Sequence, residues 1–333
     1  MKKTILILGA LVGVGIVAAL GLALLQPVHT ANGGNEAVRL YLPRECTYDA
    51  LRDTLDTHGI VPCGTLASSL FNVEAHLLDL DRGVCPGSYL VPAHMDILAL
   101  VRKLRNGQQD PIRLTIGKHR LPYQLGAYLD AKLMYDGFEV PLDSFHLVLP
   151  DTYEVYWTIT PAQFLQRMER EYDAFWSLRR LPSAQPDANT AATAAALTPR
   201  DIVILASIVE EETNYGPEKP LIASVYLNRL RCGMPLQADP TVKYAVGDFG
   251  LRRVLNKHLA VESPFNTYLH AGLPPAPICL PSKATIQAVI DAPATDHLYF
   301  CASPQLDGTH RFAATLAEHN RNANAYHKAI ANL

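Results

Sequence analysis

Apolar and polar positions divide the chain into a greasy N-terminal block and a long patterned remainder. From Thr4 to Leu25 the residues are uncharged and almost wholly apolar, and Lys2 and Lys3 precede them. As a helix this run covers roughly 30 Å of hydrocarbon, which predicts a transmembrane segment. A cleaved signal peptide is the alternative. Against it, the run is longer than the apolar part of a signal peptide, about 7–15 residues, and Gln26 to Ala31 offers no clear small-x-small cleavage site. Two lysines stand ahead of the span, and no Lys or Arg follows it before Arg39. That asymmetry puts the N-terminus in the cytoplasm and everything from about Gln26 onward outside it.

After a tether, Ala31-Asn32-Gly33-Gly34-Asn35, the spacing of apolar residues changes repeatedly. Val38 to Leu42 alternates as a strand does, and helical spacing follows from Tyr48 to Thr57 and from Leu66 to Leu78. Gly87 to Val91 reads as a second strand, and Met95 to Leu104 as an amphipathic helix stopped at Asn106-Gly107. These elements make a unit of the size of a small binding module. Further on, Ile112 to Ile116 predicts a strand, Leu121 to Met134 and Phe164 to Leu178 predict helices, and Pro182 to Thr198 predicts a loop. Leu298 to Phe300 and His310 to Phe312 read as two strands joined across a turn at Gly308, before a last helix containing Glu318-His319-Asn320.

Length and composition narrow the classes. The 333 residues exceed what one ordinary domain needs, and a 49% hydrophobic content supports a large core. A net charge of −3 supplies no basic excess to replace phosphate counterions, which argues against a nucleic-acid partner. Six cysteines are too few for a disulfide scaffold; outside the cytoplasm pairing stays open, with fifteen full connectivities that the sequence does not choose among, and buried free thiols are the default. None lies in metal-ligand spacing, so neither a metal site nor a cofactor is expected. The chain also lacks a GxSxG elbow, an HExxH pair, a P-loop and a dinucleotide fingerprint.

Candidate chemistry gathers on one helix. Thr198-Pro199-Arg200-Asp201 is a helix start, with a hydroxyl N-cap followed by proline in the first turn. Ile202 to Val209 is then apolar nearly all round, as in a helix buried on most faces, and runs directly into Glu210, Glu211, Glu212 and Thr213. The plain alternative is that the helix surfaces there and water solvates all three acids. At about 100° per residue, Glu212 projects between Leu205 and Ile208, Glu210 lies on the side of Val203 and Ala206, and Glu211 lies near Ile204. Glu212 therefore has the most apolar surroundings. Desolvation penalises its carboxylate form and raises its pKa, as a glutamic acid needs in order to donate a proton near neutrality. Three proline-stiffened loops follow: Met234 to Thr241, Ser263 to Tyr268 and Gly272 to Ile278. Their polar and aromatic residues suit a carbohydrate groove.

At these residues the chain resembles the YceG-like family of endolytic murein transglycosylases. The matching segments are Leu205 to Thr213, Ala223 to Leu230, Leu236 to Tyr244, Ser263 to Tyr268, Gly272 to Pro275 and His319-Asn320, with Pro150 to Tyr153 ahead of them. The resemblance implies an α+β chain with a cytoplasmic stub at 1–3, a signal anchor at 4–25 and a linker at 26–36. A LysM-like module at 37–108 and a mixed α/β catalytic domain at 109–333, with its core at 198–326, complete it. It makes the acid just before Thr213, Glu212, the catalytic residue. Asn228, Gln237, Asp239, Thr241, Asn266 and Tyr268 become candidates for substrate binding, with Asp239 alternatively bracing the turn before Pro240.

The implied reaction cleaves the β-1,4 bond from N-acetylmuramic acid to N-acetylglucosamine and leaves a 1,6-anhydro end. Peptidoglycan strands, the inner membrane and cell-wall synthases would be the partners. Two departures from the family pattern stand out. Glu211 occupies a position where lysine is common, and its charge is expected to raise the Glu212 pKa further. Gly117-Lys118-His119 stands where the family often has Glu-Gly. A hydrolytic muramidase using Glu212 with Asp239, and a non-enzymatic wall-binding scaffold, are the rival functions.

Overall fold

A computed structural model describes residues 36–61, 64–92, 95–179, 197–251 and 253–331. The expected anchor at 4–25, the tether after it and nearly all of the loop from Pro182 to Thr198 lie outside these residues. Among the described residues no helix is long and apolar enough to cross a membrane. The chain divides into two compact units, the first comprising the described residues up to 114 together with 132–136 and 153–159, and the second the rest. Those two short segments, read from sequence as part of 109–333, thus group with the first unit.

In the first unit, strand β1 (Val38–Leu42) pairs antiparallel with β2 (Gly87–Val91), and Leu40 lies opposite Tyr89. Alternation in β1 puts Leu40 and Leu42 inside and Tyr41 outside. Helices α1 (Tyr48–Thr57), α2 (Leu66–Leu77) and α3 (Ile97–Arg105) begin at Thr47, Thr65 and Asp96, whose side chains accept backbone N–H bonds of the first turn. The Asp96 cap starts α3 two residues after Met95. Leu40, Leu55, Phe71, Tyr89, Leu100 and Leu104 belong to one buried cluster.

Strands β3 (Ile112–Ile116) and β4 (Asp151–Val155) form a second two-stranded sheet. Helix α4 (Pro122–Asp130) stops earlier than its apolar spacing predicts. The Asp130 carboxylate accepts the Phe138 N–H at 2.8 Å, so the chain turns back where the pattern would let a helix continue. Helix α5 (Pro161–Ser177) follows, with Thr160 and Gln163 forming a capping box.

The second unit is built round α6 (Pro199–Glu212), begun by a reciprocal Thr198–Asp201 capping box. All eight residues from Ile202 to Val209 are buried. Helices α7 (Lys219–Arg231), α8 (Asp239–Val246) and, after the short α9 (Asn256–Leu259), α10 (Lys283–Ile290) follow, and α7, α8 and α10 each pack against α6. A hairpin of β5 (Tyr299–Ala302) and β6 (His310–Ala313) precedes α11 (Leu316–Ala331). The α+β character expected from the sequence is present. The thiols depart from expectation: of the described cysteines only Cys279 is buried, and Cys232 is exposed.

Close packing has a local test at Gly126 in α4. A Cβ built there meets the Phe138 carbonyl oxygen at 2.2 Å, whereas one at Gly117 meets nothing within 4 Å. Gly126→Ala is expected to destabilise the chain by about 1–3 kcal/mol through forced backbone displacement, and Gly117→Ala to leave stability nearly unchanged. Urea unfolding of both variants checks this.

Candidate active site

Burial to the last turn of α6 leaves its three terminal acids in different surroundings. The Glu210 carboxylate takes hydrogen bonds from Lys219 Nζ at 2.9 Å, Ser282 Oγ at 3.2 Å and the Thr285 hydroxyl. Burial works to raise its pKa, but these bonds outweigh that, and Glu210 stays below the usual carboxylate range. Glu211 meets Lys118 Nζ at 2.7 Å and a two-pronged Arg120 guanidinium at 2.9 and 3.2 Å. Burial again pushes its pKa up, and Arg120 and Lys118 more than reverse the push. Both acids are thus held as carboxylates.

Among the described residues no cation bonds Glu212. Its Oε1 accepts the hydroxyl hydrogen of Tyr226, a residue of α7 that is itself 1% exposed. Burial raises the Glu212 pKa to about 7. The Tyr226 bond pulls against this, the Asp239 charge adds to it, and the Lys243 and Arg229 charges oppose it. Asp239 supplies the raising charge, and Glu211 is itself paired with Lys118 and Arg120. The two departures from the family pattern, Lys118 and Glu211, are the two ends of one ion pair.

Glu212 opens into a cleft of about 620 Å³, a volume within the range of small-molecule sites. Thr213, Asn214 and Tyr215 continue its wall from the end of α6, Ala302, Ser303 and Leu306 to His310 supply the hairpin side, and Tyr326 of α11 also lines it. The sequence marked a turn at Gly308 but gave no signal that this hairpin lines a site. No periodicity or motif singles out Asn214, Tyr215 or Tyr326.

The residues expected to bind substrate separate into two groups. Asp239, the first residue of α8, is exposed and accepts the Tyr268 hydroxyl at 2.7 Å, while its charge acts on Glu212. Gln237 is exposed and adopts a left-handed φ of 48°. Three others are committed to the scaffold. Asn266 is fully buried, its amide donates to the Leu259 and Val261 carbonyls, and its Oδ1 accepts the Tyr268 N–H. Thr241 is sealed between the Ala238 carbonyl and the Thr267 hydroxyl. Asn228 donates to the Thr295 and His297 carbonyls at 2.9 Å each and accepts from Arg231. Irregular loops carry backbone carbonyls that no helix or sheet satisfies, and amide side chains fill that need. None of Gln237, Asp239, Thr241, Asn266, Tyr268 and Asn228 lines the cleft beside Glu212.

A residue that sequence reasoning passed over also shapes the site. The Arg229 guanidinium is 7% exposed, donates to the Leu236 and Leu298 carbonyls at 2.7 Å each, and lies over the Tyr299 ring. It ties α7 to the polar loop and to β5 while placing positive charge near Glu212. Among the described residues no group of three His, Cys, Asp or Glu side chains could hold a metal ion.

Comparison with known proteins adds to this geometry. The sequence profile of the YceG-like family matches residues 40–325. Over 125 residues the chain is 42% identical to an endolytic murein transglycosylase of Bacillus subtilis (strain 168), a stretch covering 38% of this chain and 34% of that protein. Over 130 residues it is 35% identical to the protein of the same description from Streptococcus pneumoniae serotype 2 (strain D39 / NCTC 7466), covering 38% of this chain and 23% of the other. The match therefore spans about a third or less of the length of these curated relatives. A crystal structure of a putative YceG-like protein from Listeria monocytogenes aligns over 86% of this chain and 99% of its own, with 23% identity and a TM-score of 0.46.

Titration separates Glu212 from its neighbours. Its folded pKa of about 7 lies above the ordinary 4.5, so its contribution to stability is full below pH 4.5 and is lost as pH rises to about 7. Glu210 and Glu211 act in the opposite sense, losing their contribution as pH falls through their depressed values. Glu212→Gln is expected to remove a decline of about 2–3 kcal/mol between pH 4.5 and 7, and Glu211→Gln to leave it in place, measured by urea unfolding across that range. Tyr226→Phe removes a hydrogen bond to the charged form and is expected to raise the Glu212 pKa, read from its side-chain carboxyl ¹³C shift.

Proposed function

The chain belongs to the YceG-like family, and on that premise we propose that it is a membrane-anchored endolytic lytic transglycosylase acting on peptidoglycan. The observation that carries this is the contrast among three consecutive acids. Glu210 and Glu211 are locked as carboxylates by cations, while Glu212 keeps its proton up to about pH 7 at the wall of a cleft. A protonatable carboxyl beside an open cleft is what general-acid cleavage of a glycosidic bond requires.

In the proposed reaction Glu212 gives its proton to the glycosidic oxygen leaving C1 of N-acetylmuramic acid. The carboxylate so formed takes the proton of the muramic 6-hydroxyl as that oxygen attacks C1 and closes a 1,6-anhydro ring. No water and no second carboxylate takes part, unlike the two-acid hydrolases. The surroundings of Glu212 support both halves. Burial favours the acid form, and the Tyr226 hydroxyl with the charges of Lys243 and Arg229 favours the carboxylate that follows. The Tyr226 hydroxyl is bonded to Oε1, and Glu212 lines the cleft. Asp239 is held by the Tyr268 hydroxyl, and its charge bears on the Glu212 pKa, so it works as an electrostatic neighbour of the acid.

The finer assignments extend from the same premise. The apolar run from Thr4 to Leu25 would anchor the chain in the inner membrane with its N-terminus in the cytoplasm. The first unit would serve as a LysM-like glycan-binding module. Cell-wall synthases, which supply nascent strands, would be its neighbours.

Incubating glycan strands with the full chain and with Glu212→Gln, followed by mass analysis of the products, tests the proposal. The wild type is expected to yield 1,6-anhydro-muramic ends, and Glu212→Gln to lose about 10²–10⁴ in rate. Reducing ends in place of anhydro ends would identify a hydrolytic muramidase, and an inactive wild type a wall-binding scaffold.

A further inference from the structure

The wall of the cleft facing away from α6 carries a second oriented group that the one-glutamate reaction does not use. His310, the first residue of β6, lines the cleft. Its Nδ1 lies 2.8 Å from Glu218 Oε2, and its backbone N–H donates to Glu218 Oε1 at 2.9 Å. Both carboxylate oxygens are thus spent on one residue. The two side chains are 15% and 11% exposed, so the pair sits in the wall rather than on the outer surface.

An ionised carboxylate only accepts, so the proton of a neutral imidazole must be on Nδ1, and Nε2 is left as a lone pair. Among the described residues no protein partner takes that nitrogen, and it is not among the buried atoms left without a partner. The ring is also tied mechanically to the acid. His310 stands edge-on to Phe300 with centroids 5.5 Å apart, and Phe300 stands edge-on to Tyr226 at 5.8 Å. Tyr226 in turn donates to Glu212. Glu212 and His310 are therefore linked through two aromatic rings, Tyr226 and Phe300, with Glu212 presenting a donor proton and His310 an acceptor.

We propose that His310, held in one tautomer by Glu218, is a substrate-contacting residue of the cleft whose Nε2 accepts a hydrogen bond from a hydroxyl or acetamido N–H of an amino sugar. This rests on the cleft being a glycan site. Glu218 is then a positioning residue acting through His310. It also gives the pair a signature that mere packing lacks. In Glu218→Gln, the amide oxygen must still face the His310 backbone N–H, so the amide NH₂ faces Nδ1. The imidazole proton is driven to Nε2, and the group offered to the sugar changes from acceptor to donor.

Binding of peptide-free GlcNAc–MurNAc strands to the full chain carrying Glu212→Gln isolates recognition from cleavage. Added His310→Asn keeps an amide within reach of Glu218 but leaves nothing at the Nε2 position, and is expected to weaken binding about tenfold. Glu218→Gln is expected to do the same, while His310→Gln, whose amide reaches the Nε2 position, stays within about threefold. Thermal midpoints should be unchanged, and the His310 Nε2 ¹⁵N signal of the Glu212→Gln chain should shift when strands are added. A purely structural pair would give the reverse ranking, with Asn tolerated and Gln lowering the thermal midpoint. Equal binding by His310→Asn, or an Nε2 signal that stays still while strands bind, overturns the proposal and leaves the function untouched. A Glu212→Gln chain that binds no strands overturns both.

Discussion

Charge at the end of a buried helix is the constraint on which this site depends. Helix α6 is enclosed on every side from Ile202 to Val209, and its next three residues are all glutamates. Three adjacent carboxylates in such a place are stable only if each is either paired or neutral. The chain uses both solutions. Lys219, Ser282 and Thr285 hold Glu210 charged, Lys118 and Arg120 hold Glu211 charged, and Glu212, given a tyrosine hydroxyl instead of a cation, keeps its proton. The raised pKa of Glu212 is thus a product of its own burial without a bonded cation.

The loops around α6 perform a related task for the backbone. Buried Asn266, Thr241 and Arg229 bond carbonyls or hydroxyls of irregular segments. These bonds fix the start of α8, and with it Asp239 and Lys243, whose charges act on Glu212. Motif residues that look like sugar ligands therefore serve at one remove, by holding charges at fixed places. The cleft itself is walled by the residues after Glu212 and by the β5–β6 hairpin. Among them His310 is oriented by Glu218 through both its backbone N–H and its ring.

The Lys118–Glu211 pair shows why single positions mislead. Seen one at a time, an acid beside Glu212 promises a higher pKa, and a lysine in a distant turn promises nothing. At 2.7 Å they form an ion pair, and the charges that bear on Glu212 include those of Asp239, Lys243 and Arg229. Coulombic effects depend on distance through space, and the sequence holds only distance along the chain.

Local order was legible because it is local. Thr198-Pro199 and Asp201 announced the start of α6, the apolar block from Ile202 to Val209 announced its burial, and helical rotation singled out Glu212, all from interactions within four residues. The same logic located most strands and helices of both units, and misjudged the end of α4 where Asp130 reaches eight residues ahead to Phe138. Tertiary structure alone decided which cations meet Glu210 and Glu211, that Asn228, Thr241 and Asn266 are braces, and that Tyr215, His310 and Tyr326 share a cleft with Glu212. Each of those outcomes is a meeting of residues separated along the chain, as Glu218 and His310 are by 92 positions. Periodicity encodes which way a side chain points from its own element, and only the packing of elements decides what it finds there.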